Sequence, residues 1–295
     1  MSGDAPIPRL RLAPRETLEE LIHREERIHR AEQLQREAGL ENSLAPFRVG
    51  TVPYLNGVPL TRGLEEQVIY ATPAKLAEML RREELDAALV SVTEVLLTGR
   101  YDVLDGIAIA SLGEVLSVLL AHRVPLEEVR EVHCDPASLT SVNLLKVLLA
   151  ERGLRPAFVP LADYAAAAHK EAVLLIGDAA LEFLLGPHEH QIWDLGAAWM
   201  ELTGKPFVYA VWALRRGVEN ERLRRLLREA RAFGMETLDY IITSRTEFNY
   251  NFRKDYLTWH LHYHLGSDEK AGLARFGELL EKHGLGPVYA PVYVY

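Results

Sequence analysis

Between residue 47 and about residue 213, short apolar runs alternate with amphipathic segments, and this pattern most constrains the fold. Apolar runs bounded by Gly, Pro and Asp read as buried strands, and the amphipathic stretches between them read as helices. Strands are expected at 47–52, 66–71, 86–90, 103–110 and 115–122, then at 130–134, 156–159, 172–176, 190–193 and 207–213. Helices are expected at 57–63, 72–83, 92–98, 139–152, 163–170, 178–185 and 195–202. Such alternation gives βαβ units and parallel sheet, hence an α/β fold. Beyond it, residues 218–244 read as a long helix with Leu223, Leu226, Leu227, Ala230 and Leu238 on one side. More helix is expected at 252–264 and 268–283, and the aromatic tail 287–295 should pack down as extended chain.

The N-terminal part differs in character. Residues 1–13 are polar with two prolines, and residues 14–40 read as one charged helix. Leu18, Leu21, Ile22, Ile28 and Leu34 make a thin apolar stripe on it. Such a stripe either packs on the body of the protein or makes a homodimer contact.

The net charge of −9 argues against a nucleic-acid binder that relies on bulk positive charge. It leaves room for a small anionic ligand held by local N–H groups. Cys134 is the single cysteine, so no internal disulfide exists. No apolar run is long enough for a membrane span, and residues 1–11 have no apolar secretory core. A cytoplasmic protein is expected. No Gly-x-Gly-x-x-Gly follows a strand, so no dinucleotide is implied, and no cofactor is expected.

Five loops after expected strands offer hydroxyls, amides or carboxylates at the strand ends where ligands bind in open α/β sheets. Tyr54-Leu55-Asn56 follows the turn at Pro53. Ser91-Val92-Thr93-Glu94 has the spacing of a capping box. Ser111-Leu112-Gly113 follows, with Ser117 further on. Ser138, Thr140 and Ser141 cluster after Asp135 at the start of an apolar helix, the strongest anion-site candidate on physical grounds. Gly177-Asp178 closes the set, with Asp178 either capping a helix or facing the ligand.

Other polar groups read as structural. His260 and His264 have i, i+4 spacing, but no His-Glu-x-x-His pattern accompanies them and no third ligand is evident, so no metal site is expected. His188 and His190 flank Glu189 in an expected surface turn. Thr203-Gly204-Lys205-Pro206 lacks the spacing of a phosphate loop. Cys134, at a strand end, reads as a small buried hydrophobe.

The opening run Phe47-Arg-Val-Gly-Thr-Val-Pro-Tyr-Leu-Asn-Gly-Val-Pro-Leu60 resembles the start of the chorismate dehydratases of the futalosine route to menaquinone. Asp86 to Ser91, Ile176 to Leu181, Asp194-Leu-Gly196 with Trp199, and Thr203 to Trp212 resemble further segments of that family, in order, over roughly residues 46–280. Thr93 departs from the family pattern, which often has Ser or Ile there. The resemblance implies a two-lobed type II periplasmic-binding-protein-like fold with extra N- and C-terminal helices. Its domains would be a helical extension over 1–45, lobe one from 46–125 plus 210–295, and lobe two from 126–209.

The implied function is a lyase that dehydrates chorismate to 3-[(1-carboxyvinyl)oxy]benzoate in menaquinone biosynthesis. The alternative on the same fold is a non-catalytic cytoplasmic binding protein for a small carboxylate. A sister dihydroxynaphthoate synthase would share the fold, but its usual Pro-Asn-Asp type opening is absent. Asn56 and Asp178 are the expected catalytic residues, Asn56 orienting the substrate. Tyr54, Ser91, Thr93, Ser111, Ser138, Thr140 and Ser141 are the expected substrate-binding residues. Candidates for the base are the enolpyruvyl carboxylate of the substrate itself, Asp178 and Glu94.

Overall fold

The computed structural model describes residues 18–40, 43–218 and 220–295; the expected polar stretch 1–13 and the first four residues of the expected helix 14–40 lie outside them. The chain divides into two units at residue 40. The first, ending at Gly39, contains helix α1 (Leu18–Leu40) except for its last residue. Its Ile22, Ile28 and Leu34 are exposed, while the side chains of Leu18 and Leu21 lie outside the described set.

The second unit is built on two sheets. The first sheet contains β1 (Val49–Thr51), β2 (Ile69–Tyr70), β3 (Ala87–Ser91), β4 (Tyr101–Ser111), β10 (Phe207–Arg215) and β11 (Val292–Val294), in the order β11-β4-β10-β3-β1-β2. The second contains β5 (Val118–His122), β6 (Glu131–Cys134), β7 (Ala157–Pro160), β8 (Ala172–Ile176) and β9 (Gln191–Asp194), in the order β7-β6-β8-β5-β9. Every residue of β3 and β8 is buried. That explains why both read as continuous apolar runs rather than alternating ones. At the sheet edge, Ile69 and Tyr70 of β2 are exposed.

β1, β2 and β3 pair in parallel, as do β6, β7 and β8. The exceptions are the strands entered by crossing from one sheet to the other. β5 runs antiparallel to β8 and β9, and β10 runs antiparallel to β3 and β4. The chain therefore changes sheets between Ser111 and Val118, and again between Asp194 and Phe207. The boundaries expected from sequence, near 125 and 210, would place β5 with the first sheet.

Helices α2 (Pro73–Arg81), α3 (Val92–Thr98), α4 (Thr140–Glu151), α5 (Gly177–Leu185) and α6 (Leu195–Thr203) follow strands, as the alternation requires. Thr72 caps α2 by accepting the Lys75 N–H at 3.4 Å, and Pro73 takes the first helical position, where a missing N–H is harmless. The expected helices at 57–63 and 163–170 are instead short 3-10 turns at Leu55–Leu60 and Tyr164–His169. Pro59 lies inside the first of them.

The expected helix 218–244 divides into α7 (Glu221–Glu236) and α8 (Leu238–Ser244). At the break, the Thr237 hydroxyl donates to the Phe233 carbonyl at 2.7 Å, a back-bond that bends helices. The expected helix 252–264 ends early. α9 (Tyr250–Asp255) runs into a π turn at Tyr256–His260, after which Leu261 is extended. There His262 exchanges two backbone hydrogen bonds with Ala110 of β4, so tertiary pairing overrides the helical pattern. α10 (Ser267–Lys282) follows, and the aromatic tail adds β11 in parallel to β4.

The return crossover is anchored by aromatic packing. Trp199 of α6 stacks edge-on against Phe207 of β10 and Phe276 of α10, with ring centroids 5.1 and 5.9 Å apart. Its indole N–H donates to the Pro206 carbonyl at 3.2 Å. Each such pair adds about 0.5–1.5 kcal/mol beyond area burial.

Candidate active site

The carboxyl ends of β1, β3, β6 and β8 border a cleft that opens to solvent. Tyr54, Asn56, Ser91, Ser138, Thr140 and Ser141 line it, with Ser117 and Tyr209. Six of the nine residues expected from sequence are therefore brought together around one cleft. Among the described residues, none of the lining side chains is Lys, Arg, His, Asp or Glu. Polarity there comes from hydroxyls, one amide and the N-terminal ends of helices.

Beyond β1 the backbone is again extended at Tyr54, with φ −81 and ψ 153, and the 3-10 turn begins at Leu55. This places Asn56 on the cleft wall, where its buried Oδ1 has no hydrogen-bond partner. Ser138 presents a second buried hydroxyl without a partner. Buried polar atoms left unpaired are uncommon and costly, and these two border the cleft.

At the end of β3, Ser91 does not cap α3 with its side chain. The Thr93 N–H instead donates to the Thr140 hydroxyl at 3.1 Å, and the Thr140 and Ser91 hydroxyls share a short hydrogen bond. The expected capping box is absent because Glu94 is engaged elsewhere. It pairs with Arg81 and accepts the Tyr101 hydroxyl at 3.2 Å, away from the cleft. Glu94 is thereby removed as a base. Thr93 is fully buried behind the wall.

Ser111 also lies behind the wall. Its hydroxyl donates to the Gly113 carbonyl at 3.1 Å and accepts from Tyr209 at 3.0 Å, so it orients a cleft-lining tyrosine. A Cβ on Gly196 would fall 2.3 Å from the Gly113 carbonyl and 2.7 Å from the Tyr209 hydroxyl. Gly196 thus lets the first turn of α6 approach this network. Asp194 holds the same corner by accepting from Val115, Leu116 and Ala197 N–H groups.

Asp178 does not line the cleft either. Its carboxylate accepts the Leu55 N–H at 3.2 Å, linking α5 of the second sheet to the turn after β1. Burial pushes its pKa up to about 6, and the charges of Glu247 and Glu182 add to the effect. The Tyr54 ring lies against Gly177, and burial, with the charges of Asp135 and Asp178 nearby, raises the Tyr54 pKa to about 12. Burial likewise holds the Tyr209 hydroxyl well above its ordinary range.

The sequence reading missed Tyr209 and Tyr256. Tyr256 sits in the π turn, fully buried, its hydroxyl without a well-formed partner. Ser117 and Asn56 are its polar neighbours and partly offset the burial that raises its pKa. A π turn often marks a functional position, but it carries no residue pattern that a sequence would reveal. Tyr209 lies in a strand whose apolar run conceals it. Cys134 is buried, and burial pushes its thiol to about 11, as befits a packed side chain.

A family model for menaquinone biosynthesis matches residues 47–282. Chorismate dehydratase of Thermus thermophilus is 32% identical over 282 residues, covering 85% of this chain and 99% of the relative. Protein AF1704 of Archaeoglobus fulgidus shares the fold with a TM-score of 0.66 at 18% identity, covering 81% of this chain and 98% of its own. The periplasmic aliphatic sulphonate binding protein SsuA of Escherichia coli follows at a TM-score of 0.53 and 15% identity, covering 84% and 93%. The two structural likenesses establish a periplasmic-binding-protein-like fold, here carrying additional helices. No helix among the described residues is long and apolar enough to cross a membrane. The family match across most of the chain and the full-length Thermus relative together place this chain in the chorismate dehydratase family of menaquinone biosynthesis.

Proposed function

We propose that this chain dehydrates chorismate to 3-[(1-carboxyvinyl)oxy]benzoate. The observation that carries the reading is a cleft without cations, whose wall holds unpartnered Asn56 and Ser138 oxygens beside the Ser91 and Thr140 hydroxyls. Chorismate brings two carboxylates and a ring hydroxyl. The N-terminal N–H groups of α4 and the hydroxyls of Ser138, Thr140 and Ser141 suit one carboxylate. The ring and its hydroxyl then lie toward Tyr54 and Asn56.

In the reaction, the C–H bond at the ether-bearing ring carbon breaks and its electrons form a ring double bond. The neighbouring C–O bond breaks, and the hydroxyl leaves with a proton as water. Aromatisation drives this step, so the protein has to orient the substrate and offer modest acid–base help. Tyr54 and Tyr209 keep their protons at neutral pH, which makes them donors rather than bases. With no ionised side chain on the wall, the substrate's own enolpyruvyl carboxylate is the fitting proton acceptor. Asp178, held by the Leu55 N–H behind the wall, then serves to position the Tyr54–Asn56 turn.

The same reading places the enzyme in the cytoplasm, and the exposed Ile22, Ile28 and Leu34 of α1 suit a homodimer contact. Incubation of the purified protein with chorismate, followed by chromatography and ultraviolet absorbance, tests the assignment. The enolpyruvyl benzoate should accumulate. Unchanged chorismate that still raises the thermal midpoint would identify a binding protein instead.

A further inference from the structure

Away from the cleft, the segment after the π turn carries a second constellation. Leu261 is extended, and the two backbone bonds between His262 and Ala110, at 3.1 and 2.9 Å, fix the strip beside β4. In extended chain, alternate side chains share a face. The His262 and His264 rings accordingly stand together, with centroids 4.5 Å apart.

Glu269, in the first turn of α10, faces them and is 4% exposed. Its Oε2 accepts the Gly266 N–H at 2.8 Å, which fixes the carboxylate. Its Oε1 lies 3.0 Å from His262 Nε2 and 3.3 Å from His264 Nε2. The sequence reading set aside His260 and His264 for want of a third ligand and expected no metal site. His260 turns its Nδ1 to the Glu114 carbonyl at 3.1 Å, and the third partner, Glu269, comes from the next helix.

We propose that His262, His264 and Glu269 form a binding site for one divalent transition-metal ion. One potential ligand atom from each lies within 4.8 Å of the others. Zinc-type bonds of about 2.0–2.2 Å separate neighbouring ligand atoms by about 2.8–3.6 Å across octahedral and tetrahedral arrangements. The measured 3.0 and 3.3 Å fall in that range. Two imidazoles and one carboxylate suit zinc, cobalt or nickel rather than magnesium or calcium. The bond from Gly266 orients the carboxylate as outer-shell partners do in metal sites. The half-exposed His264 gives the ion a path in, and Asp268 borders the same recess as a further oxygen donor.

The recess is also bordered by Leu112 and by Gly204 to Pro206. These belong to the two crossovers between the sheets. An ion held here would tie α10 to the strip beside β4 at the back of the crossovers, so the readout is binding and thermal stability.

The test uses the full chain without an affinity tag, stripped with a chelator and titrated with Co²⁺, then with Zn²⁺ as competitor. One Co²⁺ per chain should bind with a visible d–d spectrum, be displaced by Zn²⁺, and raise the thermal midpoint. His264→Gln, at a half-exposed position, should fold normally and bind at least about tenfold more weakly. His262→Gln should do the same. Failure of the wild-type chain to take up either ion at micromolar concentrations would leave only a carboxylate accepting two imidazole hydrogen bonds, and the proposal would be wrong. Stoichiometric uptake undiminished in both variants would place the ion elsewhere and overturn it equally.

Discussion

The Ser91 and Thr140 hydroxyls meet across the cleft, one from the end of β3 in the first sheet, the other from the first turn of α4 in the second. The same Thr140 oxygen accepts the Thr93 N–H, so one side chain completes both the helix start on one side and the cleft wall on the other. Thr140→Val keeps the shape and deletes the hydroxyl. It leaves a buried hydroxyl and a buried N–H unpaired, a loss of about 1–3 kcal/mol in stability. On the proposed function, kcat/KM for chorismate should fall about 10²-fold, as when one preorganised donor is removed. Thr140→Ser should recover most of both. Steady-state kinetics with thermal melts on the two variants decide it; a Val variant with wild-type kinetics removes this pair from the site.

Asn56 carries an unpartnered buried oxygen on the cleft wall, and on the proposed function this oxygen meets the substrate. Asn56→Ala should lower kcat by about 10²–10³-fold, and because the buried Tyr256 hydroxyl loses a polar neighbour the thermal midpoint should fall modestly. Single-turnover assays separate this from a binding defect. Unchanged kcat with raised KM would limit Asn56 to ground-state binding.

Tyr256 acts one layer further back, beside Asn56 and Ser117 and off the cleft wall. Tyr256→Phe deletes the hydroxyl while keeping the packed ring. The expected result is a drop in kcat of about tenfold at nearly constant KM, since the substrate is not touched. Ser117→Ala should give a similar split, and the double variant should show less than the sum because the two groups neighbour each other.

Much of the fold was legible in the sequence. The buried strands β3 and β8 announce themselves as unbroken apolar runs, Ala87 to Val90 and Ala172 to Ile176, and the loops after them lead to the cleft. Ser91, Ser138, Thr140 and Ser141 were expected at the cleft from their position between a strand end and a helix start, and they line it, although hydroxyls there also serve as ordinary helix caps. Contacts set by tertiary geometry were not. Nothing near Glu94 signals that Arg81 and Tyr101 take its carboxylate. Asp178 looks catalytic by position but is taken up by the Leu55 N–H from the other sheet. Tyr256 and the His262–His264 face depend on a helix ending at His260 where the apolar pattern continues.

Asp178 also yields a pH dependence. Its pKa is raised from 3.8 to about 6 in the folded protein, mainly by burial. The native state therefore binds this proton more tightly than the unfolded chain, so its contribution to stability is full below the unfolded pKa and lost as pH rises through about 6. Asp178→Asn keeps an oxygen for the Leu55 N–H and removes the charge. Relative to wild type, the variant should gain stability steadily between about pH 4 and pH 6 and hold a constant advantage above. Denaturant melts of both proteins across that range check it; parallel curves would mean that Asp178 titrates normally.

Gly177 sits at the first position of α5 with φ +59, and a Cβ there would fall 3.1–3.2 Å from the Tyr54 ring. Two separate penalties follow for Gly177→Ala. The left-handed backbone costs about 1–2 kcal/mol for a residue with a side chain. The contact then forces the Tyr54 ring, and with it the turn that carries Asn56, to shift by a few tenths of an ångström. Stability should fall by about 1–3 kcal/mol, and chorismate turnover should fall with it even at temperatures where the variant is fully folded. Tyr54→Ala separates the two effects. In the background of that change, Gly177→Ala should keep the backbone cost but lose the steric one, so the double-variant cycle should show coupling of about 0.5–1.5 kcal/mol. A coupling near zero would mean that Tyr54 moves aside freely. In that case the glycine would be needed for its backbone angle alone.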